Sequence, residues 1–386
     1  MSVTAPKGFL AAGVPAGLKA SGNLDLGLLV SDGPATAGGL FTTNAFAAAP
    51  VELCRRRLVD GSARAVVANS GQANAGTGPE GLEDAEHLTA AAAVDLGLDP
   101  GDVLSCSTGV IGPRVRVAAA VAGIRHAATE LSAAGGPAFA EAIRTTDTVP
   151  KQTVVDGGGF VVGGCAKGAG MIAPDLATLL VFLTSDAAAS PTAVRHALRH
   201  GAAPVWNALT VDNCPSTNDT VLLFANGASG SEPSVEGLTE AVAEATRDLA
   251  RQIVADAEGA TTTLVVQVDG AGSDGDARRV GKAVAGSMLV KTAVFGKDPN
   301  PGRILQAVGA SGARFRPGDV GSSLGTVPVI VGGRVPPEFD PAACAAAMKE
   351  REVVIRISLG DGPGQATAFG CDLGYEYVRI NGEYTT

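Results

Sequence analysis

A glycine or proline stands at roughly one position in five of this chain, 52 Gly and 22 Pro in 386 residues. They follow no G-X-Y period, so a collagen-like rod is excluded and short elements joined by many tight turns are expected. Aromatic residues are only 4% of the chain, with one Trp and three Tyr. The core must therefore be built mainly from Ala, Val, Leu and Ile. Apolar residues at 46% against 18% charged allow a sizeable core and exclude disorder. The length suits two or so domains.

Thirty-nine acidic residues against 29 basic ones give a net charge of −10. No basic stripe is visible, which argues against a nucleic-acid partner. The N-terminus MSVTAPKGFLAAGVPAG lacks a charged region followed by an apolar one, and the apolar run 176–183 is far too short to span a bilayer. A soluble cytoplasmic protein with no membrane partner is the expectation. Cysteines 54, 106, 165, 214, 344 and 371 form no CxxC pair, and six free, mostly buried thiols follow. Histidines occur only at 87, 126, 196 and 200. His196 and His200 lie one turn apart in PTAVRHALRH, without the Glu of a zinc-protease helix, so a solvated helix face is expected and no metal site. Chemistry that needs a His-dependent triad has a very short list to draw on.

Over the first 115 residues, β-like runs alternate with Gly/Asn-rich turns, interrupted by an Ala-rich helix over 79–97 that Pro79 opens. Further helices fit 115–134, 136–144, 191–199, 233–259 and 277–295. Strands fit 152–155, 160–163, 221–225 and 262–270, and the apolar run 176–184 suits a strand buried on both faces. From 316 onward the pattern is β-rich, ending in EVVIRISLG, ATAFGCDLG and YEYVRINGEYTT. Interleaved helices and turn-linked strands predict mixed α/β layers rather than an all-parallel sheet.

The most informative stretch is GGGFVVGGCAKGAGMIAPDLAT at 157–178. It is no phosphate loop, because Lys167 is followed by Gly168 rather than Ser or Thr, and a GxGxxG match lacks the strand–helix context. Taken by themselves, these residues fit a Gly-rich turn feeding a core strand. They also fit a second arrangement. Were the Ala177–Thr178 bond cut, Thr178 would become N-terminal at a strand edge. Its α-amino group, with an ordinary pKa of about 7.7–8.0, could then act as base for its own hydroxyl. Nucleophile and base in one residue would make the shortage of His irrelevant.

KGAGMIAPDLATLL at 167–180 resembles the processing segment of the ornithine acetyltransferase (glutamate N-acetyltransferase) family. Other segments resemble that family in the same order: NSGQANAGTG at 69–78, CSTGVIG at 106–112, TTDTVPK at 145–151, STNDT at 216–220, DAEGAT at 256–261, LVKTA at 289–293 and YVRINGEYTT at 377–386. The resemblance implies an α/β fold of mixed layers, an N-terminal-nucleophile-like sandwich of sheets and helices with a C-terminal α/β portion. It implies self-cleavage at Ala177–Thr178 into an alpha chain 1–177 and a beta chain 178–386, assembled as a heterotetramer or larger. The implied reaction is ping-pong and needs no cofactor: Thr178 takes acetyl from N2-acetyl-L-ornithine and passes it to L-glutamate. Thr108 and Gly109 match the oxyanion-hole pair. Amino-acid substrate contacts carry over onto Thr145, Thr146, Lys167, Thr178, Glu258, Asn381 and Thr386, with Lys167 suited to a carboxylate and Glu258 to the ornithine ammonium.

The chain departs from the family's common segments in DPNPGR, with Pro301 in place of a Trp, in TVDNCPSTNDT at Asn213, Cys214 and Pro215, and in DAEGATT, with Thr262 where a Lys is common. Two alternatives stay open on the residues alone. One is a same-fold acyltransferase serving a different amine; the other is an N-terminal-nucleophile amidase or aminopeptidase that gives the acyl group to water.

Overall fold

The computed structural model describes residues 2–173 and 179–383. Its strands are β1 (Phe9–Val14), β2 (Leu26–Ser31), β3 (Thr36–Phe41), β4 (Ala65–Gln72), β5 (Val103–Val110), β6 (Lys151–Asp156), β7 (Val161–Lys167), β8 (Leu180–Ser185), β9 (Thr220–Ala225), β10 (Thr263–Ala271), β11 (Gly321–Leu324), β12 (Val327–Ile330), β13 (Glu352–Ser358) and β14 (Gly364–Cys371). They form three sheets, ordered β1-β2-β4-β5, β3-β9-β8-β7-β6 and β12-β11-β13-β10-β14. Parallel and antiparallel pairs occur in each, as the interleaved sequence pattern requires.

Alternation along the strands builds four layers. In the first sheet, Leu26, Leu28, Val30, Ala65 and Val67 pack with Leu88, Ala92 and Ile124 of the helices Gly78–Leu96 and Val117–Thr129. Their neighbours Leu29, Val66 and Ala68 point the other way, against Leu180, Phe182, Leu222 and Phe224 of the second sheet. The opposite face of that sheet, with Val181, Leu183, Val221 and Leu223, meets Leu238, Val242 and Leu249 of the helix Val235–Ala255. Both central strands are wholly buried because each face has a partner layer. The result is helix, sheet, sheet, helix. The third sheet forms the C-terminal α/β portion: Leu264, Val266 and Val268 face the helix Asp274–Ala285, while Val265 and Phe369 join the core beneath Val235–Ala255.

Two stretches differ from the sequence reading. The expected helix 277–295 is two helices, Asp274–Ala285 and Met288–Gly296, because the Ser287 hydroxyl accepts from the Val290 N–H and starts a new one. The terminal YEYVRINGEYTT, read as a strand, holds the helix Tyr375–Glu383. Arg379 pairs there with both Glu376 and Glu383 at helical spacing, which a strand would pull apart. The helix Pro341–Ala347 also lies in the stretch read as β-rich, and Pro301–Gly309 precedes it in a stretch to which the sequence reading assigns no element.

Phe139, on the short helix Gly136–Ala142, joins the first two sheets. Its ring meets Phe182 edge-on at 5.0 Å and 84°, and it sits against Gly27, where a Cβ would lie 2.7 Å from the ring. Phe139→Ala should cost about 3–5 kcal/mol, read from urea unfolding. Gly27→Ala should destabilise by overpacking the same contact.

Candidate active site

Strands β4 and β5 run parallel in register, so Gly71 lies beside Gly109. Both have positive φ, 114° and 126°, and a Cβ on Gly109 would stand 2.4 Å from the Gly71 carbonyl carbon. Only glycine fits this approach. The strand ends open onto a cavity of about 610 Å³, lined among others by Gly71, Gln72, Thr108, Gly109, Thr145, Thr146, Lys167, Asn218, Glu258 and Asn381. Every described candidate residue from the sequence is on this wall. Ala177, Thr178 and Thr386 lie outside the described residues.

Lys167 ends β7 and sits opposite Leu180, the first residue of β8. Its Nζ donates to Thr108 Oγ1 at 3.2 Å, with both side chains buried. Because that oxygen accepts from an ammonium, the Thr108 hydroxyl proton is free to point into the cavity. Burial lowers the Lys167 pKa, opposed by the carboxylate of Asp147. Burial pushes the Asp147 carboxyl up, but the Lys167 and Lys151 cations hold it well below the usual carboxylate range. Asp147 Oδ1 accepts from Lys151 Nζ at 2.6 Å and from the Gly168 N–H at 2.7 Å, and Oδ2 accepts from the Thr145 N–H at 3.0 Å.

On another part of the wall, Glu258 Oε2 accepts from Asn381 Nδ2 at 2.8 Å. The Glu258 N–H donates to the Ala169 carbonyl at 2.9 Å. Gly170 backs the carboxylate so closely that a Cβ there would lie 2.3 Å from Oε2. A cation lodged beside Glu258 would find a nearly buried carboxylate with one oxygen already oriented. Sequence reasoning did not single out Lys19, Gln72, Arg144, Asn218 or Asp219. Asn218 Nδ2 donates to the carbonyls of Ala73 and Ser107. Asp219 is buried, its carboxyl pushed up by burial, and its Oδ1 accepts from the Leu179 N–H at 3.0 Å. Asn218 and Asp219 fall inside STNDT, so their motif was visible although their contacts were not.

A model described as the ArgJ family matches residues 10–386. The chain belongs to the ArgJ family. It is 47% identical to the arginine biosynthesis bifunctional protein ArgJ of Parasynechococcus marenigrum, over all of this chain and 95% of that protein. The protein of the same name from Symbiobacterium thermophilum is also 47% identical, over all of this chain and 98% of its own. Among solved structures, the arginine biosynthesis bifunctional protein argJ of Bacillus halodurans matches with a TM-score of 0.51 and 37% identity, covering 53% of this chain and 98% of that one. The family, fold class and acyltransferase class implied by the motifs are thereby borne out.

This ArgJ-family chain carries its unusual residues away from the cavity wall. Asn213 donates to the Gly286 carbonyl at 2.7 Å and accepts from Thr210 Oγ1 at 2.9 Å. With Pro215 it lines a separate hollow beside Lys282. Pro301 is the buried first residue of Pro301–Gly309, and Thr262 accepts from Lys297 Nζ at 2.6 Å. Among the described residues no group of His, Cys, Asp or Glu could hold a metal ion, and no helix is long and apolar enough to cross a membrane. Five cysteines are buried and Cys214 is exposed.

Asp147 supplies a pH signature. Its folded pKa lies below the unfolded value of about 3.9. The stability it adds is therefore complete above about pH 4 and lost as pH falls below that. Asp147→Asn should cost about 3–5 kcal/mol at neutral pH, as for other broken buried pairs. Urea midpoints between about pH 4 and pH 2 should fall less steeply for the variant than for the parent; an unchanged slope would remove Asp147 from this account.

Proposed function

We propose that the chain transfers acetyl from N2-acetyl-L-ornithine to L-glutamate through an acetyl-Thr178 enzyme, after cleaving itself between Ala177 and Thr178. The observation that carries this reading is convergence. Seven residues assigned from separate motifs line one cavity, and β8, which follows Thr178 in the chain, opens opposite Lys167. The Bacillus halodurans chain, almost wholly aligned, matches only 53% of this one, close to the share that residues 178–386 occupy. That length supports a beta chain separate from an alpha chain of 1–177.

In cleavage, the Thr178 hydroxyl oxygen attacks the Ala177 carbonyl carbon, the peptide C–N bond breaks, and the amine takes the proton. Water then hydrolyses the resulting ester and leaves Thr178 N-terminal. In transfer, the same oxygen attacks the acetyl carbon of N-acetylornithine while its proton passes to the free α-amino group. The tetrahedral oxyanion accepts from the Thr108 hydroxyl and the Gly109 N–H, each donor typically worth about 2.7–4 kcal/mol. The C–N bond breaks, the leaving amine takes the proton, and ornithine departs. The glutamate amine attacks the ester in turn and regenerates Thr178. Glu258, oriented by Asn381, receives the ornithine side-chain ammonium. Cytoplasmic location and a heterotetrameric or larger assembly of the two chains complete the proposal.

A denaturing gel should show two fragments, the heavier beginning Thr-Leu-Leu, and Thr178→Ala should stay intact and inactive. A wild-type protein that is uncleaved yet active would sink the mechanism. Glu258→Gln should weaken N-acetylornithine roughly ten- to a hundredfold, the worth of a charge-assisted hydrogen bond. An acetyl donor with no terminal cation should be affected far less in the same steady-state assay.

A further inference from the structure

Three cations line the cavity: Lys19, Arg144 and Lys167. Arg144 is committed, since its guanidinium pairs with Glu141 and donates to the Asp147 carbonyl. Lys167 is buried against Thr108. Lys19 is different. Among the described residues its Nζ donates only to the Leu24 carbonyl, at 2.9 Å, and has no ion-pair partner. Two of its three protons are therefore available to a ligand.

The backbone around Lys19 is fixed. The buried Asp25 carboxylate accepts from the N–H groups of Ala16 at 2.6 Å, Leu18 at 2.5 Å and Lys19 at 2.8 Å. The Leu18 carbonyl accepts from Gln72 Nε2 at 2.8 Å and Arg116 Nη2 at 2.7 Å, and presses on Gly71, where a Cβ would lie 2.9 Å from it. A turn held by five hydrogen bonds beside the oxyanion pair carries an ammonium with unused donors. Burial lowers its pKa, countered by Asp25, Glu141 and Asp147. Glu258 instead acts on Lys167.

The two substrates of the proposed reaction differ at one end. Ornithine ends in an ammonium, for which Glu258 is suited, whereas a dicarboxylic acceptor ends in a carboxylate that Glu258 repels. We propose that Lys19 is the specificity-determining residue for the acceptor, binding the side-chain carboxylate of a dicarboxylic amino acid that the donor lacks. This inference rests on the acetyl-transfer reading. The donor's side chain extends toward Glu258 and the acceptor's toward Lys19, while the reacting amine stays at the oxyanion pair.

Separate half-reactions test it. Release of ornithine from N-acetylornithine by the cleaved protein reports acetyl-enzyme formation; decay of the isolated acetyl-enzyme against glutamate reports the acceptor step. Lys19→Met should raise the KM for glutamate roughly ten- to a hundredfold, the loss of a charge-assisted contact, and leave ornithine release within about twofold. Glutamine, which lacks the second carboxylate, should be indifferent to the change as acceptor, and Lys19→Arg should recover much of the glutamate KM. Equal losses in both half-reactions, or a glutamate KM unchanged in Lys19→Met, would overturn the assignment. Should Lys19→Met not fold, Lys19→Gln repeats the comparison. A wild-type protein that releases no ornithine would instead overturn the acetyl-transfer reading itself, so the two failures are told apart.

Discussion

The buried ion cluster of Asp147, Lys151 and Asp256 is what the cavity hangs on. Lys151 is wholly buried at the start of β6 and bridges the two carboxylates. Asp256, at the end of Val235–Ala255, also accepts from the Thr148 N–H at 2.9 Å. Asp147 reaches across to the N–H groups of Thr145 and Gly168. Three separate stretches of wall are thus tied to one cluster: Thr145 and Thr146, the Lys167–Gly168 step, and the turn two residues before Glu258. Taking three charges out of water costs several kcal/mol per ion before pairing offsets it. Apolar side chains would fill the space as stably. They would not fix three loops to one another with directed hydrogen bonds, and that is the property a cavity of opposed charges needs.

The same logic explains how a fold divided at Ala177–Thr178 would hold together. In the second sheet, β3, β7 and β6 come from the proposed alpha chain and β9 and β8 from the beta chain, in the order β3-β9-β8-β7-β6. Each proposed chain would leave strands unpaired without the other. Lys7 and Asn226 also contact segments across the division, through Asp186 and the Lys7 carbonyl. Cutting one peptide bond removes a covalent tether but no ladder hydrogen bond between described strands, so the four-layer core is indifferent to it.

Much of this was legible in the sequence, and the misses have physical causes. The strand at β8 was readable because both faces are covered, which forces an unbroken apolar run. The helix Gly78–Leu96 was readable from Pro79 and its run of alanines, and it closes with Gly97 in the left-handed conformation. The terminal helix was not, since Tyr375, Tyr377, Val378 and Ile380 have strand propensity while none of the helix's residues is buried. Its conformation is set by Arg379 with Glu376 and Glu383, and its position by Tyr377, whose hydroxyl donates to Asp212 Oδ2 at 3.1 Å. Tertiary contacts of that kind leave no periodic trace. Asp147 and Lys19 escaped notice for a related reason: Asp147 is set by where the fold brings Lys151, Lys167 and the Gly168 N–H around it, and Lys19 by the turn that Asp25 holds, neither of which composition reveals.

The departures from the common family segments bear on this point. Asn213, with φ of 58°, spends its amide on Thr210 and on Gly286 at the break between Asp274–Ala285 and Met288–Gly296. The next residues in the chain that reach the cavity are Ser216, Thr217 and Asn218, all within the intact STNDT. Pro301 replaces a bulky residue at a helix start, where the missing N–H is no loss, and Thr262 exchanges a charge for a hydroxyl that Lys297 meets. None of these residues lines the cavity. A paralogue with a new amine substrate would be expected to differ first at Glu258, Asn381 or Lys167, where the proposed reading matches the ligand's charges, and there the chain keeps a carboxylate, an amide and an ammonium.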